Sequence, residues 1–303
     1  MLSGERVSCK GRSDNMLILN RISFVLALVI TLLSVSAQAS DYHSARTLAL
    51  GGAGHAGPYL TDTIYLNPSF ASFTRSYGVS VGYNYFSGAP GADPSLPSGR
   101  LLNATLFDGT QDAFQAGVGY TSRTDANIIT VGASRAIIKQ LGVGIGGKFV
   151  LPVDGSNQII RDATFSTSFI ATNWLHVVGI VDNLIESAES RTRGFYREYI
   201  LGTKVNVMGI MLLYFDPHWT PSIASGDVYG HELGVELAPF SDFFFRFGQY
   251  RNATLPYYGG VHGSGWAAGA GWIGPRLSLD YGYSHTNEPQ PATIQELSLT
   301  LYF

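Results

Sequence analysis

Beyond residue 39 the chain contains no cysteine; the single one, Cys9, lies near the amino terminus. That excludes a disulfide framework, a cysteine-held metal and a lipidated cysteine from the rest of the chain. Charge is scarce as well: Asp, Glu, Lys and Arg make up 14% of the residues, against roughly 25% in an average soluble domain. The net balance is −3, and nothing in it points to nucleic acid as a partner. Long apolar runs are missing too, apart from one near the amino terminus, so no helix is expected to cross a bilayer. What the chain has is 36 glycines and 13% aromatic residues. Few charges, many aromatics and no spanning helix suit a β-barrel whose outer wall meets lipid.

The one apolar run, Ile22 to Leu33, follows Arg21 and precedes Ser36-Ala37-Gln38-Ala39. This is the layout of a secretory signal peptide, and cleavage is expected after Ala39. Residues 1–15 are polar and add nothing such a signal needs, so Met16 is a candidate true start. Losing residues 1–39 removes four Lys/Arg and two Asp/Glu, leaving 15 basic against 20 acidic residues.

From Tyr77 onward apolar residues recur at a period of two, the mark of strands with one oily and one polar face. Tyr77, Val79, Val81, Tyr83 and Tyr85 oppose Gly78, Ser80, Gly82 and Asn84; Leu141, Val143, Ile145, Phe149 and Leu151 oppose Gly142, Gly144, Gly146 and Lys148. About fourteen such segments fit in 74–303, each near the nine to eleven residues a tilted spanning strand needs. Tight links such as Lys139-Gln140 and Gly274-Pro275 alternate with longer ones such as 87–99, 122–127 and 286–292. Short turns on one side and longer loops on the other are expected of a transmembrane antiparallel up-and-down barrel. An even strand count puts both mature termini on the periplasmic side of a bacterial outer membrane.

Charge on the lipid face is costly, by about 2–4 kcal/mol for Arg or Lys at mid-bilayer. Lys148, Glu198, Lys204, Glu232, Glu236, Arg246 and Asp280 all take the inward parity, with inward aromatics Phe107, Phe244, Tyr250 and Tyr302. Arg135 is the exception: it shares a face with Val131 and Ala133, close to the turn at Lys139, where it can snorkel unless a bulge near Gly132 flips the register. The segment around Trp174, His176, Val178 and Ile180 is ambiguous, being apolar on both faces.

Fourteen strands enclose more room than their side chains fill. Residues 40–73 are not strand-like: Thr47 to Gly57 is small and glycine-rich, and Asp62 and Asn67-Pro68-Ser69 follow. The glycine run lacks the Lys-Ser/Thr of a phosphate loop. It resembles instead the N-terminal plug of the FadL-type long-chain fatty acid transporters and their PorV-like relatives, whose pattern is Gly-Gly-Ala, an acidic residue, then Asn-Pro-Ala. Gly51-Gly52-Ala53, Asp62 and Asn67-Pro68 match it, with Ser69 in place of Ala. The closing stretch Leu297–Phe303, apolar at every odd position with a terminal aromatic, resembles the last strand of outer-membrane barrels, which the barrel assembly machinery reads.

The resemblance implies a channel or transporter for a hydrophobic, fatty-acid-like molecule. Such a solute would pass a lumen stoppered by residues 40–73 and leave sideways at a kink, for which Gly117 and Gly119 are candidates. Lys148 or Arg246 is available for a carboxylate headgroup, or else pairs with Glu198, Glu232, Glu236 or Asp280. Three other classes stay open: a structural barrel partnering secreted or surface proteins, an open porin, and a lipid hydrolase. For the last, His231 and His285 take outward parity near the outer rim, without a local Ser-His spacing, and no enzyme is expected. No cofactor and no metal site are expected.

Overall fold

The computed structural model describes residues 44–88, 98–124, 126–153, 159–223, 227–255 and 262–303; the signal-peptide assignment lies outside them. Fourteen strands follow in chain order: β1 (Tyr77–Gly88), β2 (Gly99–Asp108), β3 (Gln115–Ser122), β4 (Ala126–Ile138), β5 (Leu141–Pro152), β6 (Ile160–Ile170) and β7 (Leu175–Asp182), then β8 (Glu198–Val207), β9 (Met211–Trp219), β10 (Tyr229–Phe240), β11 (Phe243–Thr254), β12 (His262–Ile273), β13 (Leu277–Glu288) and β14 (Ala292–Tyr302). Each pairs antiparallel with its sequence neighbour, and β1 closes on β14, so the barrel has no free edge. The Tyr77 and Phe303 backbones bond each other at the rim that carries both strand termini. We call this the terminal rim.

Alternation carries through to the wall. Val81, Tyr83, Tyr85, Ile145, Phe165, Phe247 and Leu297 are exposed on the outside, while Ser80, Asn84, Thr105, Ser166, Glu236 and Asp280 are buried inside. That is the reverse of a soluble protein, and it is what a lipid-facing wall requires. Arg135 stays outward and exposed, three residues short of the end of β4; the β4–β5 register shift lies after it, at Ala136/Ile138, and no bulge occurs at Gly132. Two links expected to be long are three residues each: β3–β4 takes only 123–125 and β13–β14 only 289–291, because β13 runs to Glu288 and β14 begins at Ala292. The link after β7 carries a short helix, α3, at Ala188–Thr192 capped by Ser187. The buried Asp162 carboxylate on β6 fastens it by accepting from Ile185 N–H, Glu186 N–H and Ser190 Oγ.

Residues 44–74 pack against inward side chains of strands all round the ring. The segment begins with helix α1 (Ala45–Ala49), whose first turn is capped by Ser44 Oγ. It then turns through Gly51, Gly52 and Gly54, all at positive φ. Helix α2 (Thr63–Leu66) follows, then a 3₁₀ turn over Pro68–Phe73, where Pro68 needs no N–H partner at the turn start. Helix α1 lies against β11–β14 and the 3₁₀ turn against β4–β6. Glycine on the wall makes this approach possible: a Cβ at Gly144, Gly248 or Gly282 would collide with the backbone of Ser69, Leu50 or Ala45. The ambiguous β7 face resolves the same way. Val178 and Ile180 point inward, where Ala56 covers them beside Ile200.

Candidate functional site

Three anchors join residues 44–74 to the wall. In the first, Arg46 Nε donates to Glu236 Oε2 at 3.0 Å and its Nη2 donates to Tyr214 Oη at 2.8 Å. Glu236 Oε2 also accepts from Arg246 Nε at 2.6 Å, and Arg246 Nη1 reaches Asp280 Oδ1 at 2.6 Å. The result is a buried chain of alternating sign crossing β10, β11 and β13 on to α1. Gly271 leaves the space in which Arg246 meets Asp280.

In the second, Asn67 Nδ2 donates to the His55 carbonyl and to Ser168 Oγ at 2.8 and 2.9 Å, while Ser69 Oγ donates to Asn67 Oδ1 at 2.6 Å. Ser69, the departure from the family pattern, therefore has a use: its hydroxyl also sits 2.7 Å from Ser168 Oγ. In the third, Asp216 Oδ2 accepts from the N–H groups of Gly54 and His55 and contacts His55 Nδ1 at 2.9 Å.

Asp62 lies inside the segment, where Ser44 Oγ donates to it at 2.7 Å. Burial pushes its carboxyl up from 3.8 to about 6, against the hydroxyls of Ser44 and Thr47 and the Arg46 charge. The folded state thus keeps this proton to a higher pH than the unfolded chain. Stability from Asp62 is full below 3.8, falls as pH rises to about 6 and is level above. The loss is worth about 3 kcal/mol at most. Asp62→Asn is expected to flatten this part of the pH profile, measured as urea-unfolding midpoints at about pH 4 and about pH 7. An unchanged profile would contradict it.

Between the segment and the wall, toward the terminal rim, lies a cavity of about 530 Å³. Tyr59, Leu60, Phe70, Leu212, Phe244, Ile273 and Tyr302 line it, with the Arg46–Glu236–Arg246 chain on one side and Lys204 on another. Among the described residues no carboxylate lies within ion-pair distance of Lys204; its Nζ stands 5.8 Å from the Phe70 ring. A largely apolar chamber with one cation outside the ion-pair chain can hold a hydrophobic molecule by its anionic end.

The remaining candidates take other places. Lys148 pairs with Asp182 at 3.2 Å and donates to Asn183 Oδ1 at 3.0 Å, so its partner is none of the four acids expected. Glu198 contacts His218 Nδ1. Phe107 packs on Leu60, Ile64 and Ala71, and Tyr250 Oη bonds Thr286 and Ser284; neither lines the cavity. Gly117 and Gly119 lie within continuous pairing. The β2–β3 and β3–β4 ladders run through them without a register shift, and the room they leave is taken by Ile64 and Tyr65. His231 and His285 sit among outward aromatics, Phe215 and Tyr229 for the first and Trp266 for the second.

No family model matches this sequence, and no curated protein does. Solved structures do match in fold. The CymD monoaromatic hydrocarbon channel superposes with a TM-score of 0.63 at 11% identity, covering 88% of this chain and 99% of that one. The toluene transporter TbuX of Ralstonia pickettii gives 0.63 at 10% identity, over 89% and 100%. A FadL homologue of Pseudomonas aeruginosa gives 0.58 at 12%, over 89% and 99%. The chain shares the closed-barrel fold of these proteins.

Proposed function

We propose that the protein is an outer-membrane channel for hydrophobic small molecules of fatty-acid type, gated by its own residues 40–73 acting as a plug, with the terminal rim toward the periplasm. The observation that carries this reading is the amphipathic cavity at Lys204. In this reading Gly51, Gly52 and Ala53 let the plug touch the wall, Asp62 and Asn67-Pro68 hold its shape, and Glu236, Arg246 and Asp280 anchor it. Phe244 and Tyr302 line the apolar part of the chamber and Lys204 takes the carboxylate. Leu297–Phe303 serves the assembly machinery, and the signal peptide is removed at Ala39. The fold shared with a monoaromatic hydrocarbon channel and a toluene transporter supports a hydrophobic solute.

Lys204→Gln is expected to weaken binding of a fluorescent long-chain carboxylate to the purified protein by about 10–100-fold, the worth of a charge-assisted contact. Binding of an uncharged hydrocarbon of similar length stays unchanged. Equal affinity of both proteins for the carboxylate would remove Lys204 from the site. No binding of either probe, with a protein partner co-purifying instead, would favour the structural-barrel reading.

A further inference from the structure

The third anchor holds more ligating atoms than the anchor itself uses. Asp216 and His218 lie two residues apart on β9 and so point the same way. Glu232 on β10 is the register partner of Asp216. His55 is brought to them by the two N–H groups that bind Asp216. One ligand atom from each of His55, Asp216 and Glu232 lies within 4.8 Å of the other two, and His218 Nε2 is 3.7 Å from Glu232 Oε2. All four residues are at most 1% exposed.

His55 Nε2, Asp216 Oδ1, His218 Nε2 and both Glu232 oxygens have no hydrogen-bond partner among the described residues. Native interiors rarely leave five such atoms unpaired in one place. Neither Asp216 nor Glu232 has a Lys or Arg within ion-pair distance among the described residues, so the buried negative charge lacks a fixed cation. His55 meets Asp216 through Nδ1, at 2.9 Å from Oδ2, and His218 Nδ1 faces Glu198, which leaves the His218 Nε2 lone pair toward Glu232. A carboxylate behind the imidazole is how proteins orient a metal-binding histidine. Gly52, at φ +93°, leaves the space beside Glu232 Oε1.

We propose that His55, Asp216, His218 and Glu232 form a buried site for a divalent transition cation of zinc type, clamping residues 44–74 to β9 and β10. Two imidazoles and two carboxylates suit zinc or cobalt rather than calcium or magnesium. Glu198 is a positioning residue. The rival occupant of the same atoms is protons.

The mature chain is refolded into detergent with chelator, with Co²⁺ or with Zn²⁺. The site predicts one Co²⁺ per chain with visible ligand-field bands of low-symmetry coordination, displaced by Zn²⁺. Glu232→Gln and His55→Ala should lose the bands while keeping the heat-modifiable gel shift of a folded barrel. Glu198→Gln should keep the bands with about 10–100-fold weaker affinity. A test on the unmutated protein is X-ray absorption at the zinc edge, which should show a nitrogen/oxygen shell at about 2.0–2.1 Å with imidazole scattering. No saturable Co²⁺, bands unaffected by Glu232→Gln, or a zinc shell without imidazole would each overturn the site in favour of protons.

Discussion

Arg246→Ala should destabilise the folded barrel by about 3–5 kcal/mol, the usual result of stripping one partner from a buried ion network. Among the described residues Asp280 loses its ion-pair partner, and Glu236 keeps only Arg46. Both carboxylates stay almost wholly buried, so water reaching them through the cavity replaces the lost cation less fully than it would on a surface. Equilibrium urea titration in detergent measures the loss. Asp280→Asn combined with Arg246→Met should cost less than the sum of the single changes, because the charge stranded by one is removed by the other. A surface-like effect of under about 1 kcal/mol for Arg246→Ala would mean that the network is solvated and that the segment does not cover it.

The second large effect is on conduction. Intact protein in a planar bilayer is expected to pass little steady current, because residues 44–74 meet inward side chains on almost every side of the ring. Deleting residues 40–72 should give steady currents of porin kind, since barrels only slightly larger leave an aqueous channel when unfilled. A porin-sized current from the intact chain would refute the plug, and no current from the deletion would mean that the lumen closes by other means.

How far the sequence could be read follows from what period-two patterning encodes. It reports which face a residue takes, so the fourteen strands and the apolar outer wall were legible. It does not report what lies across the lumen. Sign and parity match Lys148 to acids on other strands, but among the described residues it meets Asp182 at the end of β7 and Asn183 beyond it. The apolar inner face of β7 was unreadable because its partner, Ala56, comes from another segment more than a hundred residues away. Glycine is ambiguous for a related reason. Gly117 and Gly119 read as places where a strand bends, and a pattern along one strand does not show that Ile64 and Tyr65 come close there. His55, Asp216, His218 and Glu232 carry no spacing signature, because three lie on two paired strands and the fourth on the inner segment. The available signal was weak: Asp216 and His218 share a face two residues apart, and Glu232 takes the inward parity.

One measurement bears most directly on whether the leading segment fills the barrel. A Cβ built at Gly234 stands 3.1 Å from the Ala53 Cβ, a few tenths of an ångström inside the roughly 3.5–4.5 Å that a disulfide spans. The chain after residue 39 has no cysteine to interfere. In the folded Ala53→Cys/Gly234→Cys protein, mild oxidation should join the two positions nearly completely, read as faster migration on a denaturing gel that reductant reverses. Two free thiols that alkylate readily after oxidation, in a barrel shown by its gel shift to be folded, would contradict the account.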